Sequence, residues 1–480
     1  MRRCASLAPL FVLLVCILAL PQQKTAFQAE LSGQELRKGE VIPSVRSATE
    51  PEQSYALYIP SNYSPERRWP IVYVFDPGAN GSRPLKLMKN AAEQYGYILV
   101  GSNNSRNGPW APARESANEM WADTHAKLSI DDRRVYFAGF SGAARLASQL
   151  AQSCNCAQGI FLSGAGFSPG KNPSDKLKFA VYSTAGLGDF NYDELLQLDE
   201  KLEKLGIPHF LKRFDGEHEW APAAVWDDAL AFSALLEMKN NLRPRDNSVI
   251  AGELAKAIEL VRKREADGAL AFALADARSL AAEFDGLADT AALKERVAAL
   301  LKNPIVRSQQ KQEKAGIEKQ RALTDEIATS INGLGSTDGE RNVLLSDIAL
   351  RVRRIRKDML KENRPENKLI LQRVLGGLFI MCMETGGPMM EQRNYLKARM
   401  YFEIAAEARP DSAWPFLSLA QCDGAAGDTK SALLDLKNAL QAGYSIHQLT
   451  TFVKNNPKLT PLENTAEYKK LIAGDPGREQ

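Results

Sequence analysis

Three side chains in the first half of the chain have the types and the order that covalent acyl transfer requires. Ser141 stands in Val135-Tyr136-Phe137-Ala138-Gly139-Phe140-Ser141-Gly142-Ala143-Ala144-Arg145, an apolar run, a turn with small flanking residues and an alanine-rich helical stretch. Such a strand–turn–helix exposes a hydroxyl at a helix N-terminus, as a nucleophile elbow does. Asp189 follows the short apolar run Phe179-Ala180-Val181-Tyr182-Ser183-Thr184, and His218 follows Phe210-Leu211-Lys212-Arg213-Phe214. Both therefore fall on loops beyond strand ends. A serine hydroxyl is a poor nucleophile until a neutral imidazole takes its proton, and a carboxylate then fixes the imidazole tautomer and steadies the imidazolium.

Taken singly, each residue has an ordinary reading: a strand–helix turn, a turn or capping aspartate, a surface histidine. Together, in the order Ser…Asp…His and each at a strand end, they predict a triad. The chain has four histidines. His125 lies in an amphipathic helical pattern, His209 at a strand start and His447 in the C-terminal helical region, which leaves His218 as the base. The last small position of the elbow is Ala143 rather than glycine, one methyl more than the usual pattern.

The positioning elements follow from periodicity. Ile71-Val72-Tyr73-Val74-Phe75 reads as the third strand and Asp76-Pro77-Gly78-Ala79-Asn80-Gly81 as its loop. An oxyanion hole is expected from the Gly142 amide and, since Pro77 has no N–H, from Gly78 or Ala79. Trp110, Tyr192 and Trp220 are candidate substrate-pocket residues, although aromatics near a sheet edge more often serve packing.

These residues resemble a family. The stretch Asp131-Asp132-Arg133-Arg134 into the elbow is similar to that of secreted esterases of the polyhydroxybutyrate-depolymerase and feruloyl-esterase type, and Gly216-Glu217-His218-Glu219-Trp220 resembles their Gly-x-His-x-Trp histidine loop. The resemblance covers about residues 50–240. It implies an α/β-hydrolase fold, hydrolysis of small-molecule or polymer carboxylic esters, and neither cofactor nor metal. The loop Asp76-Pro77-Gly78 departs from the family's His-Gly pattern. A peptidase of the same fold, or a scaffold with an inactive hydrolase domain, are the alternatives.

Composition agrees with a globular chain of two or three domains: 480 residues, 44% hydrophobic and 25% charged. Lys+Arg of 61 against Asp+Glu of 58 leaves +3, which gives no reason to expect a nucleic-acid partner. The basic run Arg351, Arg353, Arg354, Arg356, Lys357 reads as a solvated helix face. Met1-Arg2-Arg3 followed by about 14 apolar residues from Leu7 to Leu20 reads as a signal-peptide core, too short for a membrane span, within residues 1–29. Leu13-Leu14-Val15-Cys16 is a poor lipobox because Val15 is large. Export is expected, with no transmembrane domain after processing. Cys154 and Cys156 flank a single asparagine, too tight for an expected disulfide, and no Cys/His spacing suggests zinc.

Strands alternate with helices over residues 30–241, predicting a mostly parallel sheet covered on both faces. After the polar stretch Asn240 to Asn247 strand signals vanish. Residues 242–385 read as a helical connecting region, with Ala, Leu, Glu and Lys at helical spacing from Ala251 to Phe284, an exposed helix from Arg307 to Ala322 and a break at 332–339. In residues 386–480, Ala398, Phe402, Ala405 and Pro410 recur 34 residues on as Ala432, Leu436, Ala439 and Tyr444. This matches the tetratricopeptide (TPR) pattern of paired helices, whose concave face is suited to binding a protein partner, pairing two chains or capping the hydrolase, and the sequence does not choose among these.

Overall fold

The computed structural model describes residues 37–332 and 338–474. The expected export segment lies outside the described residues, as does the middle of the break at 332–339. The eight described strands are β1 (Val41–Arg46), β2 (Ser54–Tyr58), β3 (Trp69–Phe75), β4 (Ile98–Ser102), β5 (Ile130–Phe140), β6 (Ala157–Ser163), β7 (Ala180–Gly186) and β8 (His209–Phe214). They form one sheet in the order β1-β2-β4-β3-β5-β6-β7-β8. The first two pairings, β1 with β2 and β2 with β4, are antiparallel, and every later one is parallel. The chain steps outward from β3 to β4 and then crosses back to β5. This reversal opens a crevice at the C-terminal ends of β3 and β5, where ligands bind in sheets of this kind.

Successive strand residues feed opposite faces, which is why the strands read as continuous apolar runs. Val72, Val74, Tyr136, Ala138, Phe161 and Tyr182 point to one face. There they meet α1 (Ser82–Tyr95) and α5 (Ala223–Lys239). Ile71, Tyr73, Val135, Phe137, Ile160 and Val181 point to the other. That face is covered by α2 (Trp110–Lys127), α3 (Gly142–Cys154) and α4 (Tyr192–Lys204). The architecture is the expected one: a mostly parallel sheet with helices on both faces, then an all-α region.

The polar stretch after α5 leads into α6 (Asn247–Ala266), capped by Asp246, whose side chain accepts from the Ser248 and Val249 amides. The helices α7 (Leu270–Phe284), α8 (Ala291–Lys302), α9 (Pro304–Asn332), α10 (Asp338–Lys361) and α11 (Pro365–Glu391) follow. Then come α12 (Tyr395–Ala408), α13 (Ala413–Ala426), α14 (Thr429–Gln441), α15 (Ile446–Lys454) and α16 (Ala466–Ile472). The helical spacing from Ala251 to Phe284 belongs to two helices, α6 and α7, because Gly268 turns the chain through a left-handed φ of 74°. The exposed helix expected at 307–322 is part of the much longer α9. Among the described residues α11 alone is long and apolar enough to cross a membrane; it instead buries Ile370, Val374, Leu375, Leu378 and Cys382 inside the protein.

The repeat positions Ala398, Phe402 and Ala405 on α12, and Ala432, Leu436 and Ala439 on α14, are buried. The basic run is a surface of ion pairs: Arg351 meets Glu326 and Asp347, and Arg353 and Arg356 both meet Glu407. One expectation is corrected. Cys154 and Cys156 are bridged, with Cα atoms 5.1 Å apart. Asn155 adopts a left-handed φ of 54° at the end of α3. That reversal, natural for asparagine, brings the two side chains together.

The repeat region carries a testable electrostatic feature. Burial beside Asp423 pushes the Asp435 carboxyl up to about 7. Asp423 Oδ1 is bound by Arg399 (2.7 Å), and the protonated Asp435 side chain is the hydrogen-bonding neighbour of the Asp423 carboxylate. A raised folded-state value means that the native state holds the proton while the unfolded chain releases it, so stability falls as pH climbs from about 4 to about 7. Asp435→Asn keeps a donor and removes the titration. Thermal melts should therefore show the variant stabilised relative to the parent at pH 8 and little changed at pH 4.

Candidate active site

The junction of β5 and α3 is built around a strained residue. Ser141 has φ 55° and ψ −128°, a conformation that costs on the order of 1–3 kcal/mol. Its amide donates to the Ser163 carbonyl of β6 (2.8 Å), which holds the turn against the sheet. The turn tolerates no side chain at Gly139, where a Cβ would lie 2.2 Å from the Ala143 carbonyl oxygen. Ala143 itself is buried and accommodated, so the extra methyl fits.

The loops after β7 and β8 continue the register of their strands. Leu187 N–H donates to the Phe214 carbonyl and Gly188 N–H to the Gly216 carbonyl (2.9 and 2.8 Å). Gly186 has no room for a Cβ, which would stand 2.3 Å from the Glu217 carbonyl oxygen. This close approach carries Asp189 and His218 to one another. His218 Nδ1 is 2.9 Å from Asp189 Oδ1, and His218 Nε2 is 2.8 Å from Ser141 Oγ. Asp189 is fully buried, and its Oδ1 also accepts the Asn191 amide (2.8 Å). The imidazole packs against the rings of Phe140 and Phe190, at centroid distances of 4.7 and 4.2 Å, each tilted by 40°. The three sequence-predicted residues thus meet in one hydrogen-bonded row.

The remaining histidines stand elsewhere. His125 stacks on Trp121, His209 Nδ1 is 2.7 Å from the Ile207 carbonyl, and His447 opens the exposed side of α15. Among the described residues no group of three or more His, Cys, Asp or Glu side chains could hold a metal ion.

The secondary site residues fare differently. Gly142 is the first residue of α3, where amides have no partner within the helix. The amides of Gly78 and Ala79 are occupied inside their own loop: Gly78 N–H donates to Asp76 Oδ1 and Ala79 N–H to the Asp76 carbonyl, both at 2.9 Å. Trp220 is buried, and its Nε1–H donates to Asp76 Oδ2 (2.8 Å), so it ties the histidine loop to the β3 loop rather than facing a substrate. Tyr192 is buried too, with its hydroxyl donating to Glu313 (2.7 Å) and its ring beneath the Arg373 guanidinium. Trp110 is 41% exposed and lines a cleft of about 370 Å³ with Asn107, Gly142, Arg145 and, from α11, Glu384.

Two residues that no local sequence signal marks stand in the site. The Asn107 side-chain amide packs on Gly142, where a Cβ would lie 2.4 Å from its oxygen. The Phe190 ring packs against the His218 imidazole, with centroids 4.2 Å apart. Their roles come from loop packing, which leaves no local pattern in a sequence.

No family model matches the chain, and no curated protein matches it. Solved structures do. Staphylococcus aureus FphF, a fluorophosphonate-binding serine hydrolase, is similar at 12% identity and a TM-score of 0.34, over 41% of this chain and 99% of that one. An esterase from Pyrobaculum calidifontis is similar at 15% identity and 0.34, over 41% and 84%. The feruloyl esterase module from Clostridium thermocellum is similar at 14% identity and 0.33, over 40% and 87%.

The Gly139 contact gives a direct test of the elbow. Gly139→Ala forces a methyl against backbone that cannot retreat, so a loss of about 1–3 kcal/mol is expected in denaturant unfolding. An unchanged midpoint would mean that the turn is looser than described.

Proposed function

We propose that this chain is a serine hydrolase that cleaves carboxylic esters through an acyl-enzyme. The observation that carries this reading is the unbroken row Ser141 Oγ–His218–Asp189, with each partner within 2.9 Å of the next. In the first half-reaction His218 Nε2 takes the Ser141 proton as Oγ attacks the ester carbonyl. The proton then passes to the departing alcohol. In the second, His218 draws a proton from water, which attacks the acyl carbon and returns Ser141 to its free state.

Asp189 holds the Nδ1–H tautomer, so that Nε2 is free to accept. Developing charge on the carbonyl oxygen faces the Gly142 amide at the positive end of α3. A donor of that kind is worth on the order of 3 kcal/mol in the transition state. The Trp110 and Asn107 cleft beside Gly142 is the natural place for the substrate's acyl or alcohol group.

Export is proposed on two grounds: the basic-then-apolar N-terminus, and the Cys154–Cys156 bridge, which suits an oxidising compartment. The paired helices from α12 onward are proposed as a TPR-like surface for a protein partner.

Hydrolysis of p-nitrophenyl acetate tests the assignment. Ser141→Ala should lose at least about a thousandfold in kcat and all labelling by a fluorophosphonate probe. Asp189→Asn should keep the fold yet fall by roughly 10⁴ in kcat. Full turnover in either variant would refute the triad.

A further inference from the structure

The imidazole of His218 packs against two rings, Phe140 and Phe190, each tilted about 40° to it, and the two contacts have different origins. Phe140 belongs to β5 and is set by the sheet. Phe190 belongs to the loop that carries Asp189, and the wall behind it is the helical region. Gly376 and Gly377 of α11 lie against its ring: a Cβ on Gly377 would stand 3.4 Å from Phe190 Cβ, and one on Gly376 3.7 Å from Cδ1. From α9, Gln320 Nε2 donates to the Phe190 carbonyl (3.2 Å).

The same helix holds the neighbouring backbone. Buried Arg373 donates through Nε to the Leu187 carbonyl (2.7 Å), and its guanidinium lies 3.9 Å over the Tyr192 ring. Gln372 and Arg409 both bind Glu217, the residue before His218. Two adjacent glycines inside a helix work against helix formation, so their presence calls for a packing reason. At both positions a Cβ would meet Phe190 at van der Waals distance, so bare α11 backbone runs alongside that side chain and a larger residue would press on it.

We propose that α11 is a wall of the active site, and that Phe190 is a positioning residue through which the helical region fixes the His218 ring plane. The inference rests on the serine-hydrolase reading. An imidazole must aim Nδ1 and Nε2 at two fixed oxygens at once, and rotation about its Cβ–Cγ bond breaks both bonds together. Two rings packed against the imidazole oppose that rotation and help keep water from the Nδ1–Asp189 bond.

The test uses the full-length protein with three variants: Phe190→Ala, Phe190→Tyr and Gly377→Leu. The last pushes a side chain into the ring's space from the helical region and alters no residue of the sheet domain. With p-nitrophenyl acetate, Phe190→Ala and Gly377→Leu should each lower kcat by about ten- to a hundredfold, with KM moved by less than about threefold. Phe190→Tyr, which retains the ring, should restore most of kcat. The low-field proton resonance of the His218 Nδ1–H, present in the parent, should broaden or vanish in Phe190→Ala.

The double variant Phe190→Ala/Gly377→Leu should be no slower than the worse single one, since both act through the same ring. Should Gly377→Leu fail to melt cooperatively, the Phe190 pair and the proton resonance decide alone. Wild-type kcat in a folded Gly377→Leu, or a Phe190→Ala effect confined to KM or to melting temperature, overturns the proposal. Those outcomes leave the triad standing so long as Ser141→Ala is dead; an active Ser141→Ala sinks the triad itself.

Discussion

The whole site depends on one imidazole making two hydrogen bonds to groups that arrive from different strands. Ser141 ends β5, Asp189 follows β7 and His218 follows β8. Because these strands are parallel, their C-terminal ends share one edge of the sheet, and residues 77 and 29 positions from His218 along the chain come within 2.9 Å of it. The parallel order does the gathering, and the turns refine it. At β5 the refinement is a strained serine braced by Ser163. At β7 and β8 it is a backbone approach so close that Gly186 admits no side chain.

Burial of Asp189 then sets the electrostatics. A buried carboxylate is costly unless its oxygens are met by donors. Here Oδ1 takes the Asn191 amide and the imidazole, while Oδ2 has no hydrogen-bond donor and faces Gly164, where a Cβ would stand 3.1 Å away. A carboxylate satisfied on one oxygen only gains most when its neighbour becomes cationic, which in the proposed reaction is the state of His218 once it has accepted the serine proton. The Arg373 guanidinium, also buried, lies close enough to act on the same charge. Burial drives its pKa down, and Tyr192, Glu313 and Asp189 oppose that shift.

What the sequence disclosed and what it concealed divide along chain distance. Strand patterns and their Gly-rich ends are local, so Ser141, Asp189 and His218 could be read together with their order. The fold class could be read for the same reason. Trp220 and Tyr192 were equally visible, but their functions are set by Asp76, Glu313 and Arg373, which are remote in sequence. The Gly78 and Ala79 amides looked free because nothing in a Pro-Gly loop announces that the preceding aspartate will claim them both. At Cys154 and Cys156 the obstacle was a single backbone angle at Asn155.

The helical region is bound to the sheet domain by contacts of unequal worth, and the inequality says which of them matter. The Arg409–Glu217 pair is more than a third exposed on each side, so water and salt screen it and it contributes little. The apolar cluster that starts on the sheet continues without a break through α5 into Ile250, Val261, Leu274, Phe284 and Leu300 of α6, α7 and α8. That burial is insensitive to salt and has no equivalent if the helices leave, since each of those side chains would return to water at about 25 cal/mol per Å². The two halves therefore share one core on the α5 face and one contact surface at Phe190 on the α11 side. Val306 of α9 belongs to that core, and α9 also packs on α11, so the core reaches the Phe190 contact through α9.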